Sequence, residues 1–137
     1  MAARLALDAG DAARAIELLG ESLRALADSP SYISPETIDA AIVAEALGRG
    51  PEFLGALGGM MSQTPWAEAS AAILEGRFED AGDLLEAHED HAQAALARLA
   101  GAERAGRRTP GLRKAIAFHE GVGATAYLAR AAAVGAA

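Results

Sequence analysis

His88 and His91 form the part of this sequence whose residue types and spacing come nearest to a metal site. They lie three positions apart and are accompanied by Glu86, Glu89 and Asp90. A helix that continued through the segment would bring two imidazoles and a carboxylate to one side of a divalent cation. The segment, however, falls at a predicted junction between two helices, and the spacing supplies no third ligand. We therefore predict a solvated helix end and no metal-binding residues.

Acidic pairs are a second feature with potential chemistry, because two carboxylates can serve as the acid and the base of one reaction. They are Glu79 with Asp80, Asp83 with Glu86, and Glu89 with Asp90. On an acidic helical protein such pairs usually form the exposed face. No Gly-x-Ser-x-Gly or Ser-x-x-Lys motif activates a hydroxyl, and the absence of cysteine excludes a thiolate. We predict that the chain is not an enzyme and has no catalytic or cofactor-binding residues.

Glycines at 55, 58 and 59 stand before two methionines, and a glycine-rich loop can cradle a phosphate. This segment has neither the spacing nor the lysine of a P-loop, and it does not follow a strand. Close helix packing or a frayed helix end is the better interpretation. Met60, Met61 and Trp66 would also form an adaptable apolar groove for a partner helix, although core filling is the simpler prediction.

The charge balance excludes most nucleic-acid binding. Twelve basic residues against 19 acidic residues give a formal net charge of −7, whereas proteins that hold duplex DNA or RNA cluster Lys and Arg against the phosphates. One basic cluster straddles a predicted turn, and we interpret it as a solvated turn rather than a phosphate site. It consists of Arg104, Arg107, Arg108, Arg113 and Lys114. The acidic net charge instead favours partners with basic segments.

The elements that carry these residues are predicted to be helices. The chain is 52% hydrophobic but only 4% aromatic, and alanine, its main apolar residue, is the best helix former. Apolar residues recur at helical spacing throughout. One stripe runs through Ala12, Ala15, Ile16, Leu19, Leu23 and Leu26. Ser34-Pro35, Thr64-Pro65 and Thr109-Pro110 each place an N-cap hydroxyl before a proline at the first helical position. We count nine helices.

Four glycines divide these helices at similar intervals. Gly10, Gly48, Gly76 and Gly106 are each followed by Asp or Arg, and they are 38, 28 and 30 residues apart. Such periods are typical of stacked helix pairs, in which one pair cannot bury its own apolar face. Short turns make consecutive helices antiparallel. The sequence thus predicts an all-α fold, a right-handed stack of antiparallel helical hairpins that forms one domain over residues 1–137.

The segment 76–81, Gly-Arg-Phe-Glu-Asp-Ala, followed by Leu84 and Leu85, resembles the turn and second helix of a tetratricopeptide repeat. In that family an aromatic residue follows the turn and a small alanine lets the two helices cross closely. The segment 10–15 repeats the pattern with Ala12 in place of the aromatic residue, and Gly48 and Gly106 match the turn. The resemblance implies a tetratricopeptide-like α-solenoid.

A narrower resemblance covers about the last eighty residues. It rests on Thr64-Pro65-Trp66, the segment 75–78, the segment 105–108, and the segments 117–118 and 121–124. These resemble the C-terminal repeat region of large actinobacterial signalling proteins, in which a signal-transducing ATPase is joined to a nucleotide cyclase or a LuxR-type regulator. The resemblance implies a repeat module from the C-terminal part of a larger protein, without the catalytic or DNA-reading residues of the parent.

Three functions are consistent with this sequence. The first is a non-catalytic scaffold that binds a protein partner, or other domains of a parent signalling protein, and that prefers basic peptide segments. The second is a homodimerisation module that uses residues 1–9 or the alanine-rich end from Thr125. The third is a sensor with a small-ligand pocket that regulates a parent ATPase. The absence of cysteine, of a signal peptide and of a membrane-spanning segment predicts a cytoplasmic location.

Overall fold

A computed structural model describes residues 2–28, 36–58 and 64–136. These residues form nine α-helices and no strand, which confirms the predicted all-α class. The helices are α1 (Ala2–Asp8), α2 (Ala12–Asp28), α3 (Glu36–Ala46), α4 (Gly50–Gly58), α5 (Pro65–Leu74), α6 (Phe78–Ala87), α7 (His91–Ala105), α8 (Pro110–Gly121) and α9 (Thr125–Ala133). Within the described ranges, none of the helices combines the length and the hydropathy needed to cross a bilayer.

The predicted glycine hinges end helices as the sequence indicates. Gly10, Gly48, Gly76 and Gly106 all have positive φ, between 63° and 82°, a conformation that glycine adopts without steric cost. After α1, the amide of Gly10 donates to the carbonyl of Leu7 and that of Asp11 to Ala6. This is the Schellman arrangement, which satisfies the last carbonyls of a helix.

Two of the three predicted N-caps before a proline lie in the described residues, and both are confirmed in position, but only one makes the expected hydrogen bond. Thr64 is the N-cap of α5 and its hydroxyl accepts a hydrogen bond from the Ala67 amide at 3.2 Å. Thr109 is the N-cap of α8 before Pro110, but its hydroxyl makes no capping hydrogen bond, so that part of the expectation is wrong. Ser34-Pro35 lies outside the described residues.

Contacts divide the chain into two compact units, Met1–Gly76 and Arg77–Ala137, called here the N-terminal and C-terminal units. In the N-terminal unit, α1 packs against α2, and α3 packs more extensively against α5 than against its sequence neighbour α4. Buried apolar residues from these helices form its core, including Ala15, Ile38, Val43, Phe53 and Ile73. Met60 and Met61, predicted to fill the core or to line an apolar groove, lie outside the described residues.

In the C-terminal unit, α7 packs against α6 and α8, and α9 packs against α8. One apolar cluster joins α7, α8 and α9. Its buried members are Ala95, Leu99, Ala102, Leu112, Ala115, Ala131 and Val134. At the α6–α7 crossing, Gly101 faces Phe78 so closely that an added Cβ would lie 2.5 Å from the Cβ of Phe78. This sequential packing is of the kind expected for helical hairpins.

Ile16, assigned to the buried stripe of α2, is 39% exposed, whereas Ala15 and Leu19 are buried; the buried face is narrower than the apolar pattern. The predicted single domain over residues 1–137 stays a prediction. The α5–α6 pair, which carries the repeat resemblance, spans the boundary between the two units, so its hairpin also stays a prediction.

Candidate functional site

The histidine pair lies where the sequence placed it, in a turn. His88 caps the end of α6, Glu89 has a φ of 62°, and Asp90 is the N-cap of α7, whose side chain accepts from the Gln93 amide. Both His88 and His91 are exposed. Among the residues described, no three His, Asp or Glu side chains are grouped as a metal ion would require.

The acidic pairs of α6 are used to hold neighbouring helices. Arg98 of α7 lies buried, with its side chain 4% exposed, and donates to Asp83 at 2.8 Å and to Glu86 at 2.5 Å. Lys114 of α8 donates to the same Glu86 at 2.9 Å, and Glu79 accepts from the Gly111 amide at 3.1 Å. These carboxylates therefore tie α6 to α7 and α8.

Glu86 has the electrostatics of a structural anion. The hydrogen bonds from Lys114 and then Arg98 lower the pKa of Glu86 from 4.5 to about 2. A general acid at neutral pH needs the opposite shift, which burial or a neighbouring anion would supply. The geometry of this cluster supports a role in holding helices rather than in proton transfer.

The other sequence candidates separate in space. Gly55 and Gly58 lie within α4, and a Cβ at either position would meet nothing within 4 Å among the described residues. Close packing against a described helix therefore does not explain these two glycines, while the helix-end interpretation fits Gly58, the last residue of α4. Trp66 lies half-buried in the first turn of α5. Met60 and Met61, the other residues of the predicted groove, lie outside the described residues.

The basic cluster spans the end of α7 and the start of α8, as predicted. Arg107 and Arg108 are exposed in the turn, and Lys114 is committed to Glu86. A nearby cavity of about 440 Å³ is lined by residues of α7 and by the end of α9. Its charged members, Glu103 and Arg130, bind each other through two hydrogen bonds of 2.8 Å. The charges in its wall thus neutralise each other.

The N-terminal unit carries an open groove between α1 and α2. The groove has a volume of about 270 Å³ and is lined by Ala2, Ala3, Leu18, Glu21, Ser22 and Ala25. Small-ligand pockets are typically about 300–1,000 Å³ and enclose their ligand, so this groove suits one or two side chains of a larger partner.

Exposed apolar residues lie on both helices of this groove. Leu5 of α1 is 59% exposed and Ile16 of α2 is 39% exposed. At 100° per residue, Leu5 projects within about 60° of Ala2, which lines the groove. Ile16 projects about 160° from Leu18 and about 120° from Ser22, on the far side of α2. Leu5 projects about 160° from Ala3, the other α1 residue that lines the groove, so it borders the groove only at Ala2, whereas Ile16 lies on the far side of α2.

All of the net charge lies on the unit that holds this groove. Residues 1–76 contain four basic and 11 acidic residues, whereas residues 77–137 contain eight of each. The formal charge of −7 thus belongs to the N-terminal unit and the C-terminal unit is neutral. Three of the four arginines of the N-terminal unit also bind carboxylates of their own unit: Arg4 with Asp39, Arg14 with Glu17, and Arg49 with Glu52.

None of the buried polar residues in the described part of the chain was predicted from the sequence. They are Arg4, Thr37, Asp39, Ser70, Arg98 and His119. Arg4 binds Asp39 at 3.1 Å, and His119, on α8, is 2% exposed. A usable signal existed for His119, because Leu112, Ala115 and His119 follow the i, i+3, i+7 spacing of one helix face.

No protein-family model, curated protein or solved structure matches this chain.

Proposed function

We propose that this chain is a non-catalytic protein-interaction module that binds a basic, partly apolar segment of a protein partner at the groove between α1 and α2. The observation that carries the proposal is the coincidence of this groove with the unit that holds the whole net charge of −7. A negative surface attracts a basic segment and raises its rate of association. The exposed side chain of Leu5 then supplies apolar area to bury.

A second element of the proposal is the architecture and its setting. Positive φ at the four glycine hinges and the sequential packing of α6, α7 and α8 support a tetratricopeptide-like, right-handed stack. The resemblance to actinobacterial signalling proteins supports a role as a cytoplasmic regulatory module beside other domains of a parent protein. An experimental structure tests the stack directly, since the hand of successive hairpins can be read from it.

Self-association is less well supported at the groove. Two copies that met through their N-terminal units would bring a formal charge of −7 against the same charge, and like charges across an interface oppose binding. Light scattering after size exclusion, over a hundredfold range of concentration, separates the two cases. A monomer throughout agrees with the groove proposal, whereas a dimer that dissociates after Leu5→Ser would replace it with homodimerisation.

The binding test is a selection of peptides on the full chain from a random display library. We expect the selected peptides to combine Lys or Arg with large apolar residues, and to bind more weakly as salt rises, because exposed charges are screened. Peptides without basic residues, or binding that does not respond to salt, would contradict the proposal.

Variants of the groove then locate the site. Leu5→Ser removes apolar contact area and Ala25→Gln fills the groove without changing its charge; we expect each to weaken a selected peptide about tenfold, from the loss of about 1.4 kcal/mol. Ile16→Ser is the matched control, because Ile16 is exposed on the far side of α2. Equal affinity for all three variants would place the binding surface elsewhere.

A further inference from the structure

His119 is a buried histidine without the hydrogen bonds that buried imidazoles normally make. It is 2% exposed on α8, and neither ring nitrogen has a hydrogen-bond partner among the residues that the structure describes. Aromatic rings surround it instead. Tyr127 of α9 stacks on it with ring centroids 4.7 Å apart and an angle of 21° between the planes. Phe118 contacts it edge to face at 5.5 Å. The site accepts a neutral imidazole.

The charges around His119 do not favour its protonated form. Arg130 of α9 lies over the same Tyr127 ring, 5.6 Å from its centroid. Glu103 of α7 faces this region too, but its two oxygens accept hydrogen bonds from Arg130. On α8 itself, the neighbouring Glu120 is exposed. An imidazolium would gain attraction from a tyrosine face, but here that ring already holds a guanidinium.

We propose that protonation of His119 releases α9 from α7 and α8, so that the end of the C-terminal unit is an acid-sensitive latch. Burying an unpaired cation is costly, and the protein avoids the cost by exposing the imidazole to water. α9 is the element that can leave most easily. It has nine residues, fewer than an isolated helix needs for stability in water, and it packs mainly on α8. Its release uncovers the apolar cluster that Ala131 and Val134 close.

The sign of the pH effect follows from the site. Burial, and then repulsion from Arg130, lowers the pKa of His119 below its ordinary value of 6.5. A depressed pKa means that the released state binds the proton more readily than the docked state. The docked state is therefore fully favoured above pH 6.5 and loses stability as pH falls toward the folded pKa. For each unit by which the pH falls in this range, the equilibrium constant for release of α9 increases up to about tenfold.

The test is amide hydrogen exchange on the full chain, with rates corrected for the intrinsic effect of pH. Between about pH 7.5 and 5.5 we expect the protection of α9 amides to fall by up to about tenfold, while amides in the middle of α7 keep theirs. NMR titration of the His119 ring gives an independent readout. A native His119 that titrates at or above 6.5, or α9 protection that does not change, would overturn the proposal.

Variants assign the effect to His119. His119→Phe retains an aromatic ring that cannot be protonated, and we expect α9 protection to become independent of pH in this range. His119→Leu is a second variant in case the larger ring disturbs the packing. The matched control is His88→Gln with His91→Gln, which removes both exposed histidines and should leave the acid response intact. An acid response that persists in His119→Phe or His119→Leu, or disappears in the control, would refute the latch.

Discussion

Replacing Arg4 with Met is expected to destabilise the N-terminal unit by about 3–5 kcal/mol. The Arg4 guanidinium binds the Asp39 carboxylate at 3.1 Å, and the two side chains are only 9% and 6% exposed. Without Arg4, the carboxylate of Asp39 stays buried and loses this ion pair, and the buried charge is the source of the cost. This loss is a large part of the total stability, because the free energy of unfolding of a unit of this size is about 4–11 kcal/mol.

Trp66 makes this prediction simple to measure. It is the one tryptophan of the chain and lies in the N-terminal unit, so its fluorescence during urea unfolding reports that unit. With a slope of about 1.5 kcal/mol per M urea, Arg4→Met should lower the midpoint by about 2–3 M. Arg49→Met is the control. Its pair with Glu52 spans 3.3 Å but is about half exposed, and such pairs contribute about 0–1 kcal/mol.

A double variant separates the buried charge from the lost packing. Arg4→Met with Asp39→Leu removes both charges and replaces them with apolar side chains, so we expect stability close to that of the original chain or above it. The coupling between the two changes should then be about as large as the summed costs of Arg4→Met and Asp39→Leu made singly. If Arg4→Met costs no more than Arg49→Met, or if the double variant is as unstable as the single one, the buried-pair reasoning is refuted.

Three further predictions concern local features of the fold. For the first two, circular dichroism during denaturation measures the free energy of unfolding. Thr64→Ala should cost about 1 kcal/mol because it removes a capping hydrogen bond, whereas Thr109→Ala, at a cap without that bond, should cost clearly less; equal costs would contradict the described caps. Gly101→Ala should cost about 1–3 kcal/mol by overpacking against Phe78, although alanine favours helix; a stabilised variant would show that the crossing is looser. The pKa of Glu86 is lowered from 4.5 to about 2 in the folded protein. The ionised carboxylate therefore stabilises the fold above pH 4.5, and this contribution is lost as the pH falls toward 2. In Glu86→Gln the free energy of unfolding should depend less on pH between 4.5 and 2 than in the original chain.

Helix boundaries were predictable because their causes are local. A positive φ favours glycine at the residue itself, so Gly10 and Gly48 identify the ends of α1 and α3 without knowledge of the rest of the fold. The same holds for Thr64, whose hydroxyl bonds an amide three residues later. Features that depend only on residues within one helical turn can be predicted from the sequence of that turn.

The groove and the buried charges were not predictable for the converse reason. Arg4 and Asp39 are 35 positions apart, and their pairing depends on how α1 and α3 pack. Arg98 sits among alanines and leucines in α7, which indicates a buried face but not the α6 carboxylates that compensate its charge. Apolar periodicity also placed Ile16 in the core, since it records residue type and not how wide a face the neighbouring helix covers.

Salt and pH should act on different halves of this chain. All three histidines, His88, His91 and His119, lie in the C-terminal unit, and histidine is the side chain that ordinarily changes charge between pH 5.5 and 7.5. The N-terminal unit therefore has no side chain that ordinarily changes charge in that range, while salt screens its exposed carboxylates over about 8 Å at physiological strength. Peptide binding at the groove should thus depend on salt and not on pH. If it depended on pH and lost that dependence in His119→Phe, the latch would have to be energetically coupled to the groove, because no histidine of the N-terminal unit could produce the effect.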